Sequence, residues 1–367
     1  MTVIEDDADD TGRRPGRDGL AALLVEDESA LARLVPAWWA LWSRAPAATP
    51  FQSAAWAMPW WRSFHPGSLF TAAVFAHGRL VALHPGYIED GAWGRRVLTM
   101  GIGGTDSLDV LLDPHAGDEV GQVLVETVLA RSDAFDAWCL EELRPGAAAL
   151  ALPLTDGCEE EGAAQGTCPV LLLPGTAEAL RALTPARTAR KAWNRLRRRG
   201  EARIVAATLD TLDETMAHLV RLHGVRRRSR GEAGALADPA AGRFHREAAR
   251  QLLAAGLLRL TQLELGGEVI GAYHGLADRG RAYGFLSGFD PAHAFESPGT
   301  VLLAHAPERA AEGGTEFHFL RGREAYKDAW GGADRWNRRR TLRPAASRSP
   351  FVGRGAVKVE PCANSSA

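Results

Sequence analysis

Three extended runs, 258–265, 269–276 and 281–289, follow one another with only Gly266-Gly267 and Asp278-Arg279-Gly280 between them. A two-glycine connection between such runs marks a hairpin, because both central positions of the favoured turn need positive φ. The three runs therefore predict an antiparallel meander, which needs helices to cover it. The flanking sequence supplies them. Thr184 as N-cap, Pro185 at the first helical position and Gly200 as the stop predict a helix over 186–199. A strand is predicted over 202–207. Thr211 and Glu214 form a capping-box pattern opening a helix that buries Leu212, Met216, Leu219 and Leu222. A further helix, 243–255, ends at Gly256. After the meander a helix starts near Ser297-Pro298-Gly299, with Pro307 expected to kink it. A strand at 316–320, a short helix at 324–330 and a closing strand at 336–342 complete the order.

The first half repeats this arrangement loosely. Helical spacing covers 29–44 and 51–64, the latter placing Trp56, Trp60 and Trp61 about one turn apart as core residues. Strands are predicted at 69–76, 80–88, 96–100 and 108–112, then a helix at 120–130 and a strand at 137–143. The stretch 155–167, punctuated by Gly157, Gly162 and Gly166, reads as a loop, and a boundary is placed near 170. The expected class is α+β in two domains, 26–170 and 171–344, with disordered tails at 1–25 and 345–367.

Composition excludes several classes. The 367 residues carry 43 basic and 45 acidic groups, a net charge of −2, which does not suit a general nucleic-acid coat, and no DNA partner is expected. The four cysteines show no C-x-x-C pair, so neither a metal site nor a disulfide framework is expected. The acidic N-terminus lacks the basic and apolar regions of a signal peptide. The most apolar stretch, 35–42, falls short of the roughly 20 residues of a membrane helix. A cytoplasmic protein without membrane insertion is expected. Positive charge is nearly all arginine, 40 Arg against Lys191, Lys327 and Lys358.

Two runs carry a resemblance: FHFLRGREAYKDAWGG (317–332) and SPGTVLL (297–303), supported by FQSAAW (51–56) and GGTDSLDVLL (103–112). They resemble the BioF2-like or FemAB-like acetyltransferases of the GNAT superfamily, over about 51–342. The resemblance implies two tandem GNAT-like domains, each a mixed, mostly antiparallel sheet flanked by helices. It also implies an acyltransferase acting on an amine or hydroxyl, with acetyl-CoA or another acyl-CoA as co-substrate and no permanently bound cofactor. The acceptor is expected to be a small molecule or glycan, in the branch linked to exopolysaccharide or cell-envelope biosynthesis. Alternatives within the likeness are a Fem-type aminoacyl-tRNA-dependent ligase and a catalytically inactive binding module. Of the superfamily's pyrophosphate loop, aligned on Gly299, only that final glycine is kept, since Ala294 and Ser297 occupy the two earlier positions.

Candidate site residues follow. Ser297, Gly299 and Thr300 open a helix whose N-terminus would face a donor pyrophosphate, with Ser297 as a cap. Lys327 is a compact, tunable cation in an arginine-rich chain, suited to a developing oxyanion or a phosphate. Tyr326 lies beside it. Glu324 either accepts the nucleophile's proton or pairs with Lys327 on the surface. His274 and His318 are candidate bases, and only one of Tyr273 and His274 can face a cleft because strand side chains alternate. Arg190, within the basic run 187–199, and Arg227, within 226–230, are assigned to anionic substrate or donor. Asp106 and Asp109 are candidates facing a cleft between the domains.

Overall fold

The computed structural model describes residues 14–15, 19–229 and 231–344. In the first half, β1 (Arg14–Pro15), β2 (Leu20–Val25), β4 (Thr71–Ala76), β5 (Arg79–His84) and β8 (Leu111–Leu112) form one antiparallel sheet in the order β1-β2-β4-β5-β8. A second sheet runs β10 (Cys158–Thr167), β17 (Trp336–Pro344), β9 (Ala137–Leu143), β7 (Gly94–Thr99), β6 (Gly86–Gly91) and β3 (Ser68–Leu69). The chain passes from one sheet to the other at Pro85, between β5 and β6, where proline has no N–H for a ladder bond. Helices α1 (Glu28–Arg44), α2 (Ala54–Phe64) and α3 (Glu119–Leu129) cover these sheets.

The second half holds α4 (Ala177–Arg181), α5 (Thr184–Arg199), α6 (Leu212–Arg228), α7 (Pro239–Ala254), α8 (Pro298–Ala310) and α9 (Ala325–Ala329). Its sheet is β11 (Val170–Leu172), β16 (Glu316–His318), β15 (Arg281–Phe289), β14 (Glu268–Asp278), β13 (Leu258–Leu265) and β12 (Ala202–Ala206). The three runs with which the sequence reading began are β13, β14 and β15, paired antiparallel. In each half a helix then crosses over to a parallel strand, β7 to β9 through α3 and β15 to β16 through α8. The fold is α+β, two units in tandem with mixed, mostly antiparallel sheets between helices.

Several expectations are corrected. Leu20–Val25 is a strand paired along its length with Thr71–Ala76, so the tail expected over 1–25 does not reach these six residues. The remainder of that tail, apart from 14–15 and 19, and the tail expected over 345–367 lie outside the described residues. The loop expected over 155–167 contains β10, and β17 at the chain's other end pairs with it inside the first half's sheet. The division at 170/171 is therefore crossed, with β17 returning to the first sheet. Arg340 fixes it there, donating to Glu160 and to the carbonyls of Ala149 and Leu152. The Thr211–Glu214 box is not formed; Thr211 Oγ1 accepts from Thr208 N instead. In α5, Leu183 is the cap and Thr184 is already helical. Helix α8 runs through Pro307 to Ala310.

The two units share one core. Trp56, Trp60 and Trp61 are buried in it as expected. The Trp56 ring meets Phe244 of α7 at 4.9 Å and Phe285 of β15 at 5.2 Å, both edge-on. Phe51 meets Tyr283 at 5.7 Å. Edge-to-face pairs of this kind add about 0.5–1.5 kcal/mol each beyond area burial, so they fix the angle between the units as well as the contact.

Helix α6 lies directly on β15 at Gly288, where a Cβ would stand 2.3 Å from the His223 backbone N and 2.6 Å from the Leu222 carbonyl carbon. Both neighbours are backbone and cannot swing aside. Gly288→Ala is expected to lose at least about 1–3 kcal/mol, the usual penalty of overpacking, by forcing α6 off the strand. Urea unfolding measures it, and an unchanged midpoint would show that the helix sits further out.

Candidate functional site

Strands β15 and β16 are paired only through Arg281 with Glu316, Ala282 with Phe317 and Tyr283 with His318. Beyond Tyr283 they part, and β15 bulges around Phe285, the register shifting between the His274–Leu286 and Gly275–Gly284 pairs. The gap is a cleft of about 240 Å³. Its walls are the end of α6, the free edge of β15 from Gly284 to Phe289, the first turns of α8, and the aromatic residues Tyr273, Phe319 and Tyr326.

One end of the cleft is built for an anion. The ring of Phe289 lies against the start of α8, so close that a Cβ on Gly299 would meet it at 2.9 Å. The Arg226 guanidinium sits over the other part of this ring, 4.5 Å from its centroid. Arg227, buried beside it, donates to Glu232. At the helix start Pro298 has no N–H, while Thr300 and Val301 both donate to the Ser297 carbonyl at 3.1 and 3.3 Å. That leaves the Gly299 N–H facing outward, with the positive end of the helix dipole behind it. Ser297 itself is in the left-handed region, φ +57°, and makes no capping bond. Its hydroxyl receives Arg195 Nη2 at 3.3 Å instead, tying α5 to α8.

The middle of the cleft carries groups that can move protons. His223 is buried, and its Nδ1 lies 3.0 Å from the Ser287 carbonyl. A carbonyl can only accept, so Nδ1 bears the hydrogen, while Nε2 is buried on the Gly234 side, 3.5 Å from where a Cβ on that glycine would stand, and has no partner among the described residues. Burial lowers its basicity, and Arg227 and Arg226 push the same way against the Ser287 bond. Opposite it the Tyr273 hydroxyl lies over two glycines, a Cβ on Gly275 coming within 2.6 Å of that oxygen and one on Gly284 within 3.3 Å. Burial raises the Tyr273 phenol well above its usual range, so it is a donor rather than a phenolate.

The cleft thus gathers Ser297, Gly299, Thr300, Arg227 and Tyr326 among the expected site residues. It does not gather the others. Lys327, 1 % exposed, spends its ammonium on the carbonyls of Leu320, Arg321 and Gly322 at 3.2, 2.9 and 3.0 Å, with the Glu324 carboxylate at 2.7 Å. All three N–H donors are committed, so the catalytic reading of Lys327 gives way to a structural one, and Glu324 is its partner rather than a base. His274 points to the opposite face from Tyr273, against Phe285 and His245 at 5.4 and 6.4 Å. Arg190 lies on the exposed flank of α5, beyond α8 from the cleft. Asp106 accepts from the Arg321 backbone at 3.0 Å and its guanidinium at 2.8 Å, and Arg321 also holds Glu142. It is a tie between the halves. Asp109 takes the N–H groups of Val110, Ala148 and Ala149. His318 stacks on Tyr283 at 4.7 Å and bonds Glu316. Sequence reasoning missed His223 and put Tyr273 second to His274. The available signal was that His223 shares the buried stripe of α6 with Leu219 and Leu222, one turn before Arg226 and Arg227.

Among the described residues no cluster of His, Cys, Asp and Glu could hold a metal ion, and no helix is long and apolar enough to cross a membrane. A family described as an acetyltransferase (GNAT) domain matches residues 185–328, the segment that builds the cleft. No curated protein matches the sequence. Among solved structures, FemX is similar at 10 % identity and a TM-score of 0.60, covering 83 % of this chain and 95 % of that one. A conserved protein of unknown function from Bacteroides thetaiotaomicron has 11 % identity and a TM-score of 0.54, covering 87 % and 99 %. The C-terminal domain of a putative lysylphosphatidylglycerol synthetase from Agrobacterium fabrum has 12 % identity and a TM-score of 0.53, covering 84 % and 91 %. These likenesses are of fold.

Proposed function

We propose that the chain is an acyltransferase whose donor, an acyl-CoA, lies in the cleft between β15 and β16 and whose acceptor is an amine or hydroxyl. The observation that carries this reading is the parting of β15 from β16 beside the Gly299 N–H and Arg226, with His223 among the residues that line the gap. The donor's phosphates would lie between Gly299 N–H and Arg226, with the thioester directed at Tyr273. The acceptor nitrogen or oxygen attacks the thioester carbonyl carbon and gives up its proton, for which His223, lining the cleft, is the candidate base once the packing of Nε2 against Gly234 opens. The C–S bond then breaks, and a Tyr273 or Tyr326 hydroxyl gives a proton to the departing sulfur. In an antiparallel ladder a residue turns its N–H and C=O to the same side. Ser287 offers its carbonyl to His223 at the cleft edge, so its N–H is the candidate contact for the acyl oxygen. An exopolysaccharide or cell-envelope acceptor belongs to this reading through the family resemblance.

A second reading, a Fem-type ligase using aminoacyl-tRNA, is favoured by α5. Arg187, Arg190, Lys191, Arg197 and Arg198 are exposed there, none with an ion-pair partner among the described residues. A third, an inactive binding module, is favoured by the single free N–H at the start of α8. Calorimetric titration with acetyl-CoA, a longer acyl-CoA and charged tRNA separates them. Under the first reading an acyl-CoA binds, and His223→Gln lowers kcat by about 10²-fold or more, the usual contribution of a positioned base, with the melting temperature unchanged. Binding of charged tRNA alone would select the second reading, and binding of neither at millimolar concentration the third.

A further inference from the structure

A second and larger cavity, about 560 Å³, begins where the cleft ends. Tyr273 lines both. The cleft lies under the first turns of α8, up to Leu303, and the cavity under the last, from His305 to Ala310 and on to Gly314. On the sheet beneath, it extends along β14 from Tyr273 to Asp278. Five strand steps span about 16 Å at roughly 3.3 Å each, and the helix from Leu303 to Ala310 advances about 10 Å at 1.5 Å per residue. Helix and strand therefore agree that cleft and cavity lie end to end, with the Tyr273 ring at their junction.

The inner walls of the cavity are apolar, with Leu253, Leu258, Leu260, Leu276 and Phe317 among them. Small residues leave the space open between sheet and helix, Ala277 and Ala282 on the one and Ala306 and Ala310 on the other. Charged residues at its rim are committed elsewhere. Arg259 donates to the Gly256 and Leu258 carbonyls. Arg279 and Arg281 hold Asp278 and reach across to carbonyls of Trp42, Pro46 and Ala48 in the first half. Arg309 pairs with Glu312 at 2.9 Å. With the rim cations already engaged and the inner walls made of leucine, phenylalanine and alanine, the chemistry favours an uncharged, flexible, apolar occupant.

We propose that this cavity receives the hydrocarbon chain of the donor, entering past Tyr273, so that the transferred group is a medium or long fatty acyl chain rather than acetyl. The inference rests on the reading of the cleft as the acyl-donor site. Its volume falls within the roughly 300–1,000 Å³ of small-molecule pockets, whereas an acetyl group would leave it unused.

The test compares acetyl-, octanoyl- and dodecanoyl-CoA in transfer assays, and dodecanoate alone in calorimetry, on the full chain and on Ala310→Phe and Ala306→Phe, each of which fills the cavity. Dodecanoyl-CoA is expected to exceed acetyl-CoA by at least about tenfold in kcat/KM, the size of effect that buried methylenes give. Ala310→Phe should remove that preference and leave acetyl transfer unchanged, and Ala306→Phe does the same if the first variant fails to fold. Dodecanoate should bind the unaltered chain and not the filled variants. The proposal is overturned if chain length has no effect and dodecanoate does not bind, or if it binds the filled variants equally well. Should no acyl-CoA be a substrate while dodecanoate binds and the filled variants lose it, the acyltransferase reading fails and the cavity's assignment stands.

Discussion

Replacing Lys327 by Met is expected to destabilise the protein by about 3–5 kcal/mol, the usual consequence of removing one partner of a buried ion pair. The substitution leaves the carbonyls of Leu320, Arg321 and Gly322 turned inward with no donor, and the Glu324 carboxylate, side chain 11 % exposed, without its cation. The loop they belong to is held in an unfavourable shape. Leu320 has φ +60° although it is not glycine, and Gly322 has φ +104°. Arg321, between them, carries the tie to Asp106 and Glu142 in the first half. Loss of Lys327 should therefore loosen the contact between the units as well as the loop. Arginine is not expected to rescue it, because three carbonyls converge on one point and a planar guanidinium cannot occupy it. Against a typical total of about 5–15 kcal/mol, Lys327→Met is expected to lower the urea midpoint sharply, and adding Glu324→Gln should recover part of the loss. A variant that keeps full stability but loses transfer would restore the catalytic role.

That role shows where the sequence was legible. The rarity of lysine correctly marked position 327 as special, and an ammonium with three rotatable donors is what the site needs. What could not be read was that the carbonyls belong to a loop curling back five to seven residues earlier. The meander was legible because Gly266-Gly267 is local information, as were α5, α8 and the buried Trp56. The strand β10 was not, since CEEEGAAQGT has no alternation of apolar residues. It becomes a strand through its partner, where Glu160 and Glu161 meet Arg340, Arg339 and Arg343 of a segment about 180 residues later. Within the cleft, the helix start and the Arg226-Arg227 pair could be named from the chain. The contest between Tyr273 and His274 could be posed but not decided, because alternation says only that they face apart.

Acid is expected to unfold the protein from the neutral side, beginning near pH 6.5. Burial holds His84 and His245 down at about 3 and His274 at about 4, from an ordinary 6.5. The Nδ1 atoms of all three lack a partner among the described residues, so a proton added there would find no acceptor. Above pH 6.5 these rings are neutral in both states and have no effect. Below it the unfolded chain takes up protons that the folded one refuses, and each ring lowers stability by about 1.4 kcal/mol per pH unit, about 4 for the three. Asp109 acts the other way. Its carboxyl is pushed up to about 6 by burial, so the folded state gains a proton before the unfolded one does, offsetting about 1.4 kcal/mol per unit below pH 6. Glu142 and Asp278, also raised by burial, add to the offset. Carboxylates held low by their partners, such as Glu316 at about 2 beneath His318 and Arg335, contribute only below their unfolded value of 4.5. In the window between about pH 6.5 and 5 the histidines outweigh the raised carboxyls, with a slope of about 2–4 kcal/mol per unit. Urea midpoints measured across it should fall steadily, and His274→Phe should flatten the slope by about 1.4 kcal/mol per unit. Stability that stays level from pH 6.5 to about 5 would mean that these rings reach water.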